Sequence, residues 1–168
     1  MSISMYSTLM PMAKTLLGGL SNVLQKGADH AKAKGFDESV LVNARLAPDM
    51  FALARQVQIA TDQVKGGAAR LAGVDIPAFA DDETTIEQLK ARIAKTIAFL
   101  DSLTPAQIDG TEGKDITLKM RAGDVTLTGQ RYLIGSVIPN LTFHCATAYN
   151  ILRHNGVEVG KRDFLGAF

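Results

Sequence analysis

The chain has no tryptophan and a single cysteine, Cys145, among its 168 residues. One cysteine excludes an intramolecular disulfide framework and fits a reducing compartment. Aromatic residues make up only 6% of the sequence, too few to build stacking platforms for nucleic-acid bases. An excess of one charge is missing too. The 18 basic residues face 17 acidic ones, the formal net charge is +1, and the basic residues form no run. That removes the electrostatic case for nucleic acid or an acidic membrane surface as a partner. No stretch reaches the ~18–20 uninterrupted apolar residues of a membrane span. The N-terminal stretch MSISMYSTLMPMAKTLLGGLSNVL is apolar, but no basic residue precedes its apolar part and Lys14 interrupts it. It is therefore not read as a signal peptide. These absences together lead to the expectation of a soluble, cytoplasmic protein with no nucleic-acid and no membrane partner. The length suits one domain over residues 1–168, with room for a sizeable core.

What the sequence does have is helical periodicity. Leu9, Ala13, Leu16, Leu20, Val23 and Gly27 alternate steps of four and three, which predicts a first helix from Leu9 to Lys34 with Pro11 in its first turn and Gly35 as its stop. A short helix is expected over DESVLVNA, capped by Asp37. Pro48 is expected to open a long helix to Ala72, whose seam runs through Met50, Leu53, Val57, Ala60, Val64, Gly67 and Leu71, with Gly73 as its stop. Thr84 or Thr85, with Glu87 or Gln88 three residues on, offers a capping box for the next helix, buried through Ile86, Leu89, Ile93, Ile97 and Leu100.

The texture then changes to period two. Ile116, Leu118 and Met120 alternate with Thr117, Lys119 and Arg121, and after AGD, Val125 and Leu127 alternate with Thr126 and Thr128. That is a hairpin signal, and two short strands need helices to lie on. Pro139 is expected to start the last long helix, NLTFHCATAYNILRHNG, with Gly156 just past its end. The apolar residues of the tail, Phe164, Leu165 and Phe168, should dock on the bundle or on a partner. The pattern as a whole predicts an all-α four-helix bundle with a small β-hairpin inserted before the last long helix.

Bundles build sites from polar side chains that share the apolar seam. Leu141, His144, Ala148 and Ile151 are spaced three, four and three, which turns His144 inward. An interior histidine can be a satisfied core group, part of a ligand pocket, or a metal ligand. A second histidine four residues on would put two imidazoles on one face, but that position is Ala148. His154 falls at the helix end, where the dipole favours it, and His30 belongs to no evident set. Asp49, Gln56, Gln63 and Arg70 lie seven apart beside the seam of the Pro48–Ala72 helix. They read either as a polar border or, for Gln56, as a side chain leaning towards His144. Cys145 diverges from His144 by about 100° on the helix and is read as a buried, inert thiol. Tyr149 can close a pocket mouth or hydrogen-bond across helices. The acidic ADDET run reads as turn and cap chemistry.

The stretches ARLAPDMFALARQVQIATD, RLAG, DDETT and NLTFHCATAYNILRHNGVEVGKRDFLG resemble a family of bacterial and fungal domains of unknown function, itself similar to the DinB-like metalloenzyme superfamily. The resemblance covers nearly the whole chain. It implies a four-helix bundle, often a homodimer. Many members of that superfamily hold a divalent metal through three histidines, one on the second long helix and two as H-x-x-x-H on the last. Here His144 matches the first of the pair, Ala148 stands at the second, and Gln56 stands near the third position. One ligand of three is kept, so no cofactor is expected, and His144 is the residue that would hold a metal if one bound. The reading that follows is a small-molecule pocket at the bundle interior, lined by His144, Gln56, Tyr149 and Ala148, on a degenerate former metal site. Two alternatives stand beside it: a non-catalytic structural or interaction protein acting as a homodimer, and a metal-dependent enzyme with an incomplete ligand set. Whether the protein is an enzyme stays open.

Overall fold

A computed structural model describes residues 3–120 and 123–166. Arg121 and Phe168, named above in the hairpin and the tail, lie outside the described residues. The elements in order are α1 (Met5–Lys34), α2 (Ser39–Val42), α3 (Leu53–Ala72), α4 (Ile86–Asp101), α5 (Pro105–Ile108), β1 (Asp115–Leu118), β2 (Val125–Thr128), α6 (Gly129–Tyr132), a π-helical turn (Leu133–Val137), α7 (Ile138–His154) and α8 (Lys161–Leu165). The long helices α1, α4, α3 and α7 form the bundle in that cyclic order, each packed on two neighbours. The hairpin pairs Ile116 with Leu127 in antiparallel register and precedes the last long helix. Among the described residues no helix is long and apolar enough to cross a membrane.

The expected seams form the core. Leu9, Ala13, Leu16, Leu20 and Val23 of α1 are buried, as are Leu53, Val57, Ala60, Val64 and Leu71 of α3, and Ile86, Leu89, Ile93 and Leu100 of α4. Each fully buried Leu or Val side chain stabilises the fold by roughly 1.5–3 kcal/mol relative to leaving it exposed. The Thr85–Gln88 capping box opens α4, with Gln88 N donating to Thr85 Oγ1 at 3.2 Å and Thr85 N to Gln88 Oε1 at 3.1 Å. Gly35 (φ 73°) and Gly73 (φ 71°) end α1 and α3 in the left-handed conformation that lets the cap N–H turn back on the last carbonyls.

Helix boundaries differ from expectation at two prolines and one aspartate. The first helix starts at Met5, four residues early, because Ser4 and Ser7 make a capping box there; Pro11 therefore lies inside the helix rather than in its first turn. Pro48 sits in a turn, and α3 starts at Leu53. Asp49 and Met50 accordingly lie outside that helix, and Met50 is half-buried rather than a seam residue. Pro139 sits in the first turn of α7, as expected, and α6 and the π-helical turn lead into it from Gly129. Asp37 does not cap α2 as the residue before it. It accepts the Ser39 N–H at 2.8 Å from one position further out.

The tail docks on α1 and α7. Lys26 and Asn22 of α1 bind Asp163, by an ion pair of 2.6 Å and by Asn22 Nδ2 donating to the Asp163 carbonyl at 3.2 Å. Tyr149 of α7 meets the Phe164 ring edge-on at 5.8 Å.

Close approach of α3 to the π-helical turn depends on Gly67. A Cβ there would stand 2.6 Å from Val137 Cγ2 and 2.7 Å from Cγ1. Gly67→Val is expected to lower unfolding free energy by about 1–3 kcal/mol through overpacking, read from urea unfolding midpoints. An unchanged midpoint would mean that this contact is slack.

Candidate functional site

The most extensive helix contact in the bundle is α3 against α7. At one end of it His144 of α7 meets Gln56 of α3, with His144 Nδ1 2.7 Å from Gln56 Oε1. Gln56 is buried, and its Nε2 donates to the Phe51 carbonyl at 3.1 Å, in the loop just before α3. His144 itself is half-buried. The buried face of α7 is centred on Leu141, Cys145, Ala148 and Leu152 instead, so His144 lies at the edge of the seam, one residue off its centre. The Phe143 ring packs edge-on against the imidazole at 5.2 Å and is 58% exposed, and Phe51 is 57% exposed. Burial, and then the positive charge of Arg55, hold the His144 imidazole below its ordinary value of 6.5.

The other sequence candidates fall elsewhere. Ala148 is fully buried in the core. Tyr149 donates its hydroxyl to the Val159 carbonyl at 3.3 Å. Cys145 is fully buried, and burial pushes its thiol up to about 12, so it stays a protonated core residue. His154 is exposed at the end of α7, and His30 stacks edge-on with Phe36 at 5.8 Å. The structure thus brings His144 and Gln56 together and leaves Tyr149 and Ala148 outside their hydrogen-bonded pair.

A second polar cluster was not legible as one. Arg92 of α4 is 2% exposed. Its Nε donates to Thr61 Oγ1 at 2.8 Å, and one terminal nitrogen donates to the Ala80 carbonyl at 2.7 Å and Glu83 Oε1 at 2.9 Å. The other meets Asp62 Oδ1 at 2.8 Å and Asp81 Oδ1 at 3.0 Å. Around it, Lys65 pairs with Asp62 at 2.9 Å and lies 3.8 Å over the Phe79 ring, while Arg55 pairs with Asp81 at 2.5 Å. Three cations and three carboxylates balance. Burial raises the Glu83 carboxyl, but hydrogen bonds from Arg92 and Gln58 outweigh it and leave the group below its ordinary value. The acidic run taken for turn chemistry is therefore the clamp on a buried arginine. The signal was present: Arg92 and Thr96 fall at three- and four-residue steps among Leu89, Ile93 and Leu100, inside the buried stripe. A cleft of about 370 Å³ lies beside this cluster, lined by Phe79, Glu83, Gln88, Arg92 and Lys95 among others. With four hydrogen bonds donated by Arg92 and Asp81 in ion-pair contact, the cluster reads as a fastener for the linker between α3 and α4.

The family model described as "Domain of unknown function (DUF1993)" matches residues 5–165. The chain belongs to the DUF1993 family. Among solved structures, a DinB family member protein from Shewanella denitrificans is 42% identical, with a TM-score of 0.89 over 97% of this chain and 92% of that one. Nothing among curated proteins matches. The DinB-like bundle expected from the sequence is therefore shown.

A three-histidine metal centre does not fit the side chains of this DUF1993 member. Among the described residues no group of three or more His, Cys, Asp or Glu side chains is placed to hold a metal ion. Ala148, four residues after His144 on α7, offers only a methyl, and the Gln56 amide is already spent on His144 and Phe51.

Removing the guanidinium leaves Glu83 without its charge partner in a side-chain environment only 10% exposed. Arg92→Met is expected to cost about 3 kcal/mol, measured by urea unfolding. A loss under about 1 kcal/mol would show that the clamp is a surface ion pair in effect. The depressed Glu83 value also sets a pH dependence. Its contribution is full above the ordinary 4.5 and is lost as pH falls through the lower native value. Unfolding midpoints measured down the acid limb should fall, and Glu83→Gln should flatten that fall.

Proposed function

We propose that this protein binds a small molecule at the His144–Gln56 end of the α3–α7 seam. The observation that supports the reading is a polar pair held at the edge of an otherwise apolar contact, beside two exposed aromatic residues, Phe143 and Phe51. An imidazole used only for packing gains most from full burial and two satisfied nitrogens. This one is half-buried, with one nitrogen fixed and the other free of protein partners among the described residues.

A second reading, an interaction protein acting as a homodimer, is favoured by those same two aromatics, which carry apolar surface outward. A monomer mass by light scattering at micromolar concentration would overturn it.

His144→Ala separates the two. Under the small-molecule reading, ligand-detected NMR against a fragment panel shows binders to the wild type that the variant loses, while the melting temperature shifts by only a few degrees. A variant that melts far lower and loses no binder would return His144 to a packing role.

A further inference from the structure

The Gln56 amide has one possible orientation. Its Nε2 donates to the Phe51 carbonyl at 3.1 Å. Flipping the amide would set Oε1 against that carbonyl, two acceptors facing each other, and a main-chain carbonyl cannot become a donor. Oε1 therefore faces His144 Nδ1, at 2.7 Å, and an amide oxygen can only accept. The proton must sit on Nδ1. In a neutral imidazole the other nitrogen is then bare. Among the described residues Nε2 has no hydrogen-bond partner, and no buried side-chain nitrogen or oxygen lacks one, so Nε2 reaches solvent.

We infer that Gln56 is a positioning residue that fixes His144 as its Nδ1–H tautomer, so that a bare Nε2 lone pair selects ligands carrying a hydroxyl, thiol or N–H donor. The ligand class rests on the small-molecule reading above; the tautomer does not. Burial and the Arg55 charge favour the neutral ring and so keep the lone pair free. A carboxylate offers only acceptors and would meet Nε2 lone pair to lone pair, so anions of that type are selected against. The Phe143 ring edge-on to the imidazole adds an aromatic wall to the donor requirement.

The test is long-range proton–nitrogen NMR on protein labelled at histidine, near neutral pH. His144 should show a pyridine-type Nε2 and a pyrrole-type Nδ1. Gln56→Leu should move both resonances towards their average, because nothing then holds the proton on Nδ1. A wild-type spectrum with the proton on Nε2 overturns the inference, as does a folded Gln56→Leu protein with unchanged resonances. If that variant fails to fold, the wild-type spectrum alone decides. For the ligand class, phenol and its methyl ether anisole serve as probes that share ring and oxygen and differ in the O–H donor. Phenol should shift the Nε2 resonance several-fold more than anisole at the same concentration. Equal shifts from both overturn the donor requirement while leaving a small-molecule site in place. No shift from either overturns the donor requirement and counts against the site itself.

Discussion

Burying a guanidinium costs several kcal/mol unless its charge is matched and its N–H groups find acceptors. Arg92 meets that demand only because three pieces of chain converge on it: Thr61 and Asp62 from α3, the residues Ala80 to Glu83 from the linker, and α4 itself. The spacing of α3 and α4 and the path of the linker are thereby one constraint. It also fixes the rotation of α3 about its axis. Thr61 and Asp62 face α4, while Gln56 and Gly67, eleven residues apart and so about 20° from each other in projection, both meet the α7 side. The ionic cluster on one flank of α3 sets which side chains the other flank presents.

The seams of α1, α3 and α4 were legible because they depend only on periodic apolar burial, which each helix carries in its own sequence. The hairpin was legible through its switch to period two. Helix ends were harder. A proline points to the first turn of a helix, where a missing N–H costs least. That holds at Pro139, in the first turn of α7. At Pro11 the capping box of Ser4 and Ser7 starts the helix earlier, and Pro48 lies in a turn before α3.

Among candidate site residues, the contact of Gln56 with His144 was one of two readings the helical phases left open, the other being a polar border. Arg92 was not read because burial of a charge is decided by partners from distant segments, and its acidic partners looked complete as turn residues on their own. The place of His144 was off by one step: Cys145 holds the centre of the face and His144 its edge. At about 100° per residue, one position separates a core side chain from one that touches water.

The buried residues Leu133, Val137, Leu141 and Cys145 follow one another at steps of four. In a regular α-helix three such steps drift by about 120° around the axis. The wider π-helical turn takes up part of that drift, so the residues stay on one side of the bundle. It also makes Leu133–Val137 the place where a relative of this chain could lose a single residue within a long helical path. Between Ile138 and His144 such a loss would rotate His144 away from Gln56. Here it would convert the wide turn to a regular one and leave both ends facing as they do.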